Sequence, residues 1–170
     1  MERDALVGAG GQWPIIDEKP DPAVVRQSLD ASCVSACGEM LLRECGVETV
    51  TQANLLERLG SPAITAELAD AINELLGVQE WRGVALDVPT MGGRKAIALL
   101  SDMGSWVAEL YLLGARLAHA VVVDSVNDDG TLSIRDPFDG TSYKMEVDIF
   151  LDYWSWTAVW RGYPKGRSGA

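Results

Sequence analysis

The chain of 170 residues predicts an α+β fold, with helices in its N-terminal half and an antiparallel sheet in its C-terminal half. Up to about residue 104, apolar residues recur at helical spacing and the segments end at glycine. After about residue 105, short runs rich in β-branched and aromatic residues are separated by turn residues. We therefore expect a helical lobe packed against a sheet, with a functional cleft at the seam between them.

The helical half contains three clear amphipathic patterns and one shorter one. The first pattern is CVSACGEMLLRE, with Ser32 or Asp30 as candidate N-cap and Gly46 as the stop signal. The others, in order, are TQANLLERLG, TAELADAINELLG and the shorter GGRKAIALLSDMG. The first pattern predicts a helix whose first turn contains Cys33.

Five strands are predicted in the second half of the chain. Their sequences are WVAELYLL, LAHAVVVDSV, TLSIRD, TSYKMEV and WTAVW. NDDG is a hairpin signal between the second and third, and DPFDG marks the next turn. Around this single domain, residues 23–163, we expect an irregular segment at 1–22 that is rich in Gly and Pro, and a flexible tail at 164–170.

The formal net charge is -11, from 25 acidic and 14 basic residues. Such a surface repels phosphate backbones and anionic lipid headgroups, so neither nucleic acid nor membrane insertion is expected. No apolar run approaches the length that spans a bilayer, and the N-terminus lacks the basic flank and apolar stretch of a signal peptide. The acidity is most simply explained by solubility, while a basic peptide or protein partner stays open.

The three cysteines, Cys33, Cys37 and Cys45, fall within one short segment. An odd count without spaced pairs is a poor disulfide framework and indicates a reducing, cytoplasmic compartment. A structural zinc site needs four ligands at closed spacing, and this chain has one histidine and no CxxC pair. No metal or cofactor is therefore expected.

Cys33 is the candidate nucleophile. The thiolate is the reactive form of cysteine, and the dipole and free N–H groups of a helix N-terminus lower a cysteine's pKa. Taken alone, a small buried hydrophobe is the commoner role for such a cysteine. Cys37 lies one helical turn later and is expected to face the core; a redox pair with Cys33 is a minor alternative.

His119 is the candidate general base, and Asp136 the candidate residue that orients it. His119 lies in an otherwise apolar strand, where its ring must be hydrogen-bonded or face a cleft. A hairpin turning at NDDG sets residue 121 opposite residue 136, which places Asp136 diagonally across from His119 on the same face. A one-residue slip would move Asp136 to the other face, and Asp124 has the wrong parity for this role.

Gln27 is the fourth candidate, six residues before Cys33. An acyl-transfer site needs donors directed at the developing oxyanion. The Gln27 amide is a candidate for one donor, and the backbone N–H of Cys33 for the other. Considered alone, a solvent-exposed glutamine is the simpler interpretation.

Four motifs resemble those of papain-like peptidases: Gln27, Cys33, residues 119–123 and the Asp-Pro pair at 136 and 137. The order is similar to that of double-glycine bacteriocin-processing peptidases and their stand-alone relatives. The resemblance covers roughly residues 22–160 and implies a papain-like fold with an active-site cleft between the lobes. It implies that Cys33 attacks a carbonyl, His119 transfers the proton, Asp136 orients His119 and Gln27 helps to bind the oxyanion.

The function that the resemblance implies is a thiol peptidase acting on a peptide or protein. Its biological role is either maturation of a peptide in the cytoplasm or that of a toxin or effector delivered into another cell, with an inhibitor or immunity protein as a further partner to consider. Deamidation and transglutaminase-like acyl transfer use the same triad. A peptide-binding module without turnover is the alternative from another class, although such modules usually lose the Cys or His.

Overall fold

The computed structural model describes residue 9 and residues 11–86, 88–111 and 118–162. Within these residues, seven strands form one sheet, and every pairing in it is antiparallel. The strands are β1 (Ile16–Pro20), β2 (Trp81–Ala85), β3 (Trp106–Tyr111), β4 (Ala118–Val126), β5 (Thr131–Asp136), β6 (Thr141–Glu146) and β7 (Trp154–Arg161). Their order across the sheet is β1-β6-β5-β4-β3-β7-β2, so β4 lies at the centre.

Six α-helices accompany this sheet in the described part of the chain. They are α1 (Cys33–Glu44), α2 (Gln52–Leu59), α3 (Leu68–Leu76), α4 (Val88–Met91), α5 (Gly93–Asp102) and α6 (Val147–Tyr153), with a 3-10 turn at Thr65–Glu67 before α3. Helix α1 is buried from its first residue to Leu42. Other elements therefore enclose this helix, although its buried residues include the polar Ser35 and Glu39.

Two apolar cores lie on opposite faces of the sheet, because side chains alternate along β4. Ala120 and Val122 pack with helices α1 to α3 on one face. Val121 and Val123 pack on the other face with residues of α5, α6 and the N-terminal segment, including Trp13. The central strand is therefore covered on both sides, and its exposed end is where a polar side chain can be placed.

The predicted α+β class, the helix at 33–44 and the five strands of the second half are confirmed. Ser32 occupies the predicted N-cap position, but its hydroxyl bonds to the backbone of Leu29 instead of capping the helix. The ends of the predicted strands at residues 112, 113 and 117, residues 1–8 and the tail at 164–170 lie outside the described residues.

Four elements were not predicted, β1, β2, α4 and α6, and the irregular interpretation of residues 1–22 is wrong for β1. Helix α4 spans only four residues, too few to show a helical pattern. Strand β1 has the polar sequence IDEKP and pairs only with β6 at the sheet edge, so no alternating pattern marks it. Strand β2 forms the opposite edge and contains Gly83, which weakens its strand signal. Helix α6 spans only seven residues, which is too short to show helical periodicity.

Candidate active site

Cys33 is the first residue of α1, and its thiol faces the end of β4. The thiol sulfur accepts a hydrogen bond from the backbone N–H of Ala120 at 3.5 Å, and another from the backbone N–H of Val34. The ring of His119 is close enough to the thiol to influence its pKa through charge and hydrogen bonding. The N-terminus of the buried helix and the central strand thus bring a cysteine and the histidine together across 86 residues of chain.

His119 and Asp136 lie side by side on neighbouring strands. His119 Nε2 is 2.7 Å from Asp136 Oδ1, so Nδ1 is the ring nitrogen left for Cys33. The predicted register is confirmed at this end of the hairpin, because Val122 pairs with Arg135 and the same register sets residue 121 opposite residue 136. A β-bulge between Val123 and Ser125, which was not predicted, shifts the pairing by one residue nearer the turn. Asp124, which was predicted to face away from His119, is ion-paired with Arg135 at 2.7 Å.

The Asp136 carboxylate accepts four hydrogen bonds and is 1% exposed. Oδ1 accepts from His119 and from the backbone N–H of Phe138 at 2.9 Å. Oδ2 accepts from the Tyr143 hydroxyl at 2.7 Å and from the backbone N–H of Ala9 at 3.1 Å. A buried carboxylate with this many donors is held ionised and in one orientation.

The electrostatics of the three side chains favour a thiolate–imidazolium pair. Burial opposes the charged form of Cys33, but the hydrogen bond and charge of His119 outweigh it and lower the pKa of the thiol. Burial also opposes the charged form of His119, yet Asp136 and Cys33 raise the pKa of its ring to about 10. Against its own burial, Asp136 has a lowered pKa because of His119 and the N–H and O–H donors.

Gln27 lies beside this group on the loop before α1. Its backbone N–H donates to the carbonyl of Pro137 at 2.8 Å, which ties the loop to the turn after Asp136. Its side-chain Nε2 donates to the carbonyls of Leu29 at 2.9 Å and Asp30 at 2.8 Å. Its Oε1 is buried and has no hydrogen-bond partner among the described residues.

Sequence reasoning did not single out two further side chains near Asp136. Trp13 is 1% exposed, and its ring lies 5.8 Å from that of His119. Its indole Nε1 donates to the Tyr143 hydroxyl at 3.1 Å, which in turn bonds Asp136. Because side chains alternate along β6, the sequence could have assigned Tyr143 to the sheet face that carries Asp136. Nothing in the sequence around Trp13 pointed to the site.

The other cysteines do not share this environment. Cys37 is fully buried, as predicted, and burial raises its pKa well above the usual value for a thiol. Cys45 is exposed at the far end of α1, and its pKa is also raised, mainly by partial burial.

In the described ranges no group of three His, Cys, Asp or Glu side chains is arranged to hold a metal ion. No helix there is long and apolar enough to cross a bilayer.

Solved structures share this arrangement of helices and sheet. The peptidase domain of Streptococcus ComA, a bifunctional ABC transporter, matches 80% of this chain and 94% of its own with a TM-score of 0.64 at 17% identity. The chain has a papain-like fold. The peptidase domain of Streptococcus mutans ComA matches 81% of this chain and 97% of its own with a TM-score of 0.52 at 18% identity. The papain-like fold inferred from the motifs is therefore confirmed.

A curated relative is similar in sequence as well. Cysteine protease effector 1 of Escherichia coli O1:K1:H7 is 34% identical over 155 residues, which is 91% of this chain. The papain-like chain spans 30% of the length of that relative. No family model matches the chain.

Proposed function

We propose that this chain is a cysteine peptidase in which Cys33, His119 and Asp136 form the catalytic triad. The observation that carries the proposal is that the His119 ring interacts with the Cys33 thiol on one side and hydrogen-bonds Asp136 at 2.7 Å on the other. A nucleophile, a base within hydrogen-bonding reach and a third group that orients the base are the parts that covalent acyl transfer needs.

In the proposed reaction the Cys33 thiolate attacks the carbonyl carbon of a peptide bond and forms a tetrahedral oxyanion. The His119 imidazolium gives its proton to the departing amine, so a thioester forms as the C–N bond breaks. His119 then takes a proton from water, which attacks the thioester and releases the carboxylate product. Throughout, Asp136 holds Nε2 and stabilises the positive charge on the ring.

Two donors are proposed for the oxyanion, the backbone N–H of Cys33 and the side-chain amide of Gln27. The Cys33 N–H belongs to the first turn of α1, where backbone N–H groups have no partner within the helix. Both amide protons of Gln27 point to carbonyls in the resting site. Gln27 therefore has to release Leu29 or Asp30 when the substrate binds.

The substrate class that we propose is a peptide or protein, and the role is that of an effector. The name of the Escherichia coli relative supports the effector role over peptide maturation. We propose that the domain is delivered into another cell as part of a longer protein, since the relative is more than three times as long as the matched segment. An inhibitor or immunity protein that covers Cys33 stays a prediction.

The test is mass spectrometry of the intact protein after brief treatment with an epoxide inhibitor of thiol proteases. We expect a single adduct on Cys33 in the wild type and none on Cys37 or Cys45. The adduct should be lost in Cys33→Ala and should form at least about tenfold more slowly in His119→Ala, because the thiolate loses its partner. Equal labelling of the three cysteines in both wild type and His119→Ala would overturn the proposal.

Product analysis separates peptidase action from its two chemical alternatives. Peptides recovered after incubation with the wild type should carry new termini that are absent with Cys33→Ala. A mass gain of one unit at glutamine without cleavage would instead mean deamidation, and a glutamine–amine adduct would mean transglutamination. Selective labelling of Cys33 without turnover of any protein would favour the peptide-binding module.

A further inference from the structure

We propose that Tyr143 and Trp13 are positioning residues that hold the Asp136 carboxylate and shield its bond to His119. The inference rests on the proposed function, since it assigns parts to the same triad. Tyr143 hydrogen-bonds the Asp136 carboxylate, Trp13 hydrogen-bonds Tyr143, and among the described residues neither hydrogen-bonds the Cys33 thiol. They act through Asp136 and His119 and not on the substrate.

The hydrogen bonds run in one direction from Trp13 to the carboxylate. The indole Nε1 of Trp13 donates to the Tyr143 hydroxyl at 3.1 Å, and that hydroxyl donates to Asp136 Oδ2 at 2.7 Å. A hydroxyl that accepts one bond and donates another is polarised, so its bond to the carboxylate is strengthened. Because Tyr143 holds Oδ2, rotation of the carboxylate is blocked and Oδ1 stays directed at His119.

Trp13 has a second contact, with the histidine ring itself. The two ring centroids are 5.8 Å apart at an interplanar angle of 33°. Trp13 is 1% exposed and Asp136 is equally buried, so the bond between His119 Nε2 and Asp136 Oδ1 is kept from water on this side. A hydrogen bond between charged groups is stronger where water is excluded.

The contribution of Trp13 comes from the segment before β1, which the sequence did not mark as part of the domain. The backbone N–H of Ala9 in the same segment also donates to Asp136 Oδ2 at 3.1 Å. Two bonds from residues 9–13 thus converge on the Asp136–Tyr143 pair. The segment therefore contributes hydrogen bonds to the candidate site, as strands β4, β5 and β6 do.

A purely structural role for these residues makes a different prediction from a positioning role. A buried Tyr hydroxyl has to be paired in any core, so Tyr143→Phe should lower stability in either case. Only a positioning role moves the protonation behaviour of the triad. Loss of the Tyr143 donor removes one of the interactions that lower the pKa of Asp136.

The experiment measures the rate of Cys33 alkylation by iodoacetamide as a function of pH, which needs no knowledge of the substrate. The variants are Tyr143→Phe and Trp13→Phe, and the control is Trp106→Phe. Trp106 is likewise fully buried in the same core and also donates its indole N–H, at 3.2 Å, but to Ser101 away from the triad. All four proteins are first checked for folding by near-ultraviolet circular dichroism.

For Tyr143→Phe we expect the acid limb of the plot of alkylation rate against pH to move to higher pH by roughly half a unit or more. The reason is that Asp136 takes up a proton at higher pH and then no longer supports the imidazolium. Trp106→Phe should keep the wild-type profile even though it loses a similar amount of stability. An acid limb unchanged in Tyr143→Phe, or moved equally in Trp106→Phe, would overturn the inference.

The double variant Trp13→Phe/Tyr143→Phe tests whether Trp13 acts through Tyr143. Because the indole N–H reaches Asp136 only through the hydroxyl, we expect the double variant to move the acid limb less than the sum of the two single variants. An acid limb unchanged in Trp13→Phe would remove Trp13 from the proposal, and full additivity would limit its role to the contact with the His119 ring. If the wild type itself shows no enhanced alkylation of Cys33 below pH 8, the proposed function fails and not the positioning role alone.

Discussion

Gln27 donates both amide protons to neighbouring carbonyls, although the proposed oxyanion site needs one of them. Its buried Oε1 without a partner marks this resting arrangement as one that substrate binding can improve. At the residue scale, the proposed triad is therefore assembled before substrate arrives, whereas the proposed oxyanion donor is not.

Gln27→Ala tests the oxyanion role. We expect kcat to fall by about 10²- to 10³-fold on a fluorogenic peptide selected with the wild type, with little change in KM, since the donor acts only on the developing oxyanion. The rate of Cys33 alkylation by iodoacetamide should stay at the wild-type value, because alkylation forms no oxyanion. A parallel loss of both rates would show that Gln27 supports the loop and not the oxyanion.

Asp136→Asn tests the orienting role. Without the carboxylate charge, the pKa of His119 should fall from about 10 and that of Cys33 should rise toward its ordinary value. We expect peptide turnover at pH 7 to fall by about a hundredfold, and alkylation of Cys33 to slow as well. Asp124→Asn is the matched control, because Asp124 is ion-paired with Arg135 on the neighbouring strand and does not contact the triad. Equal losses in the two variants would contradict the assignment.

At the scale of elements, the site depends on where α1 begins relative to β4. The bond from the Ala120 N–H to the Cys33 sulfur joins the first residue of the helix to the central strand. The other end of α1 is joined to the sheet as well, through Glu44 and Arg135 at 3.0 Å. The helix is thus fixed at both ends, which sets the position of Cys33, the proposed nucleophile.

Gly83 lies in edge strand β2 at a point where the strand comes too close to the 3-10 turn to leave room for a side chain. A Cβ at this residue would lie 2.2 Å from the backbone carbonyl oxygen of Ala66 in the 3-10 turn. We expect Gly83→Ala to lower the free energy of unfolding by about 1–3 kcal/mol, because backbone and not a flexible side chain has to move. Urea denaturation followed by tryptophan fluorescence measures the change.

The control for Gly83→Ala is Val84→Ala in the same strand. The Val84 side chain is exposed, so its truncation should cost under about 1 kcal/mol. Equal urea midpoints for the two variants would show that the 3-10 turn moves away from β2 without cost.

At the scale of the whole molecule, the Asp136–His119 pair couples stability to pH. The raised pKa of His119 means that its contribution is fully present below pH 6.5 and is lost as pH rises toward about 10. The lowered pKa of Asp136 means that its contribution is present above pH 3.8 and is lost as pH falls below that value. Cys33, whose pKa is lowered, changes stability in the opposite sense to His119 as pH rises.

Cys33→Ala removes this opposing titration, so the pH test is made in that background. We expect Cys33→Ala to lose more stability between pH 6.5 and pH 10 than Cys33→Ala/His119→Ala, as measured by urea midpoints. Parallel pH dependence of the two proteins would contradict the raised pKa of His119.

The sequence by itself determined the α+β class, the helix at 33–44 and the identity of the candidate residues. Strong local patterns carry this information, since helical periodicity, strand alternation and turn residues act over a few positions. The hairpin at NDDG was readable from the sequence, but the register that places Asp136 beside His119 also depends on a β-bulge between Val123 and Ser125, which shifts the pairing by one residue relative to the turn. A slip of one residue in either strand would have turned Asp136 to the opposite face of the sheet from His119.

The tertiary structure alone decided what surrounds the triad. Trp13 reaches Asp136 through Tyr143 across 130 residues of chain, and no local pattern encodes such a contact. The edge strand β1 forms because β6 offers it a partner, although its own residues are polar. The thiol of Cys33 becomes acidic only once Ala120, Val34 and His119 are brought to it. The candidate nucleophile and base are readable from local sequence, whereas their ionisation depends on contacts that exist only after folding.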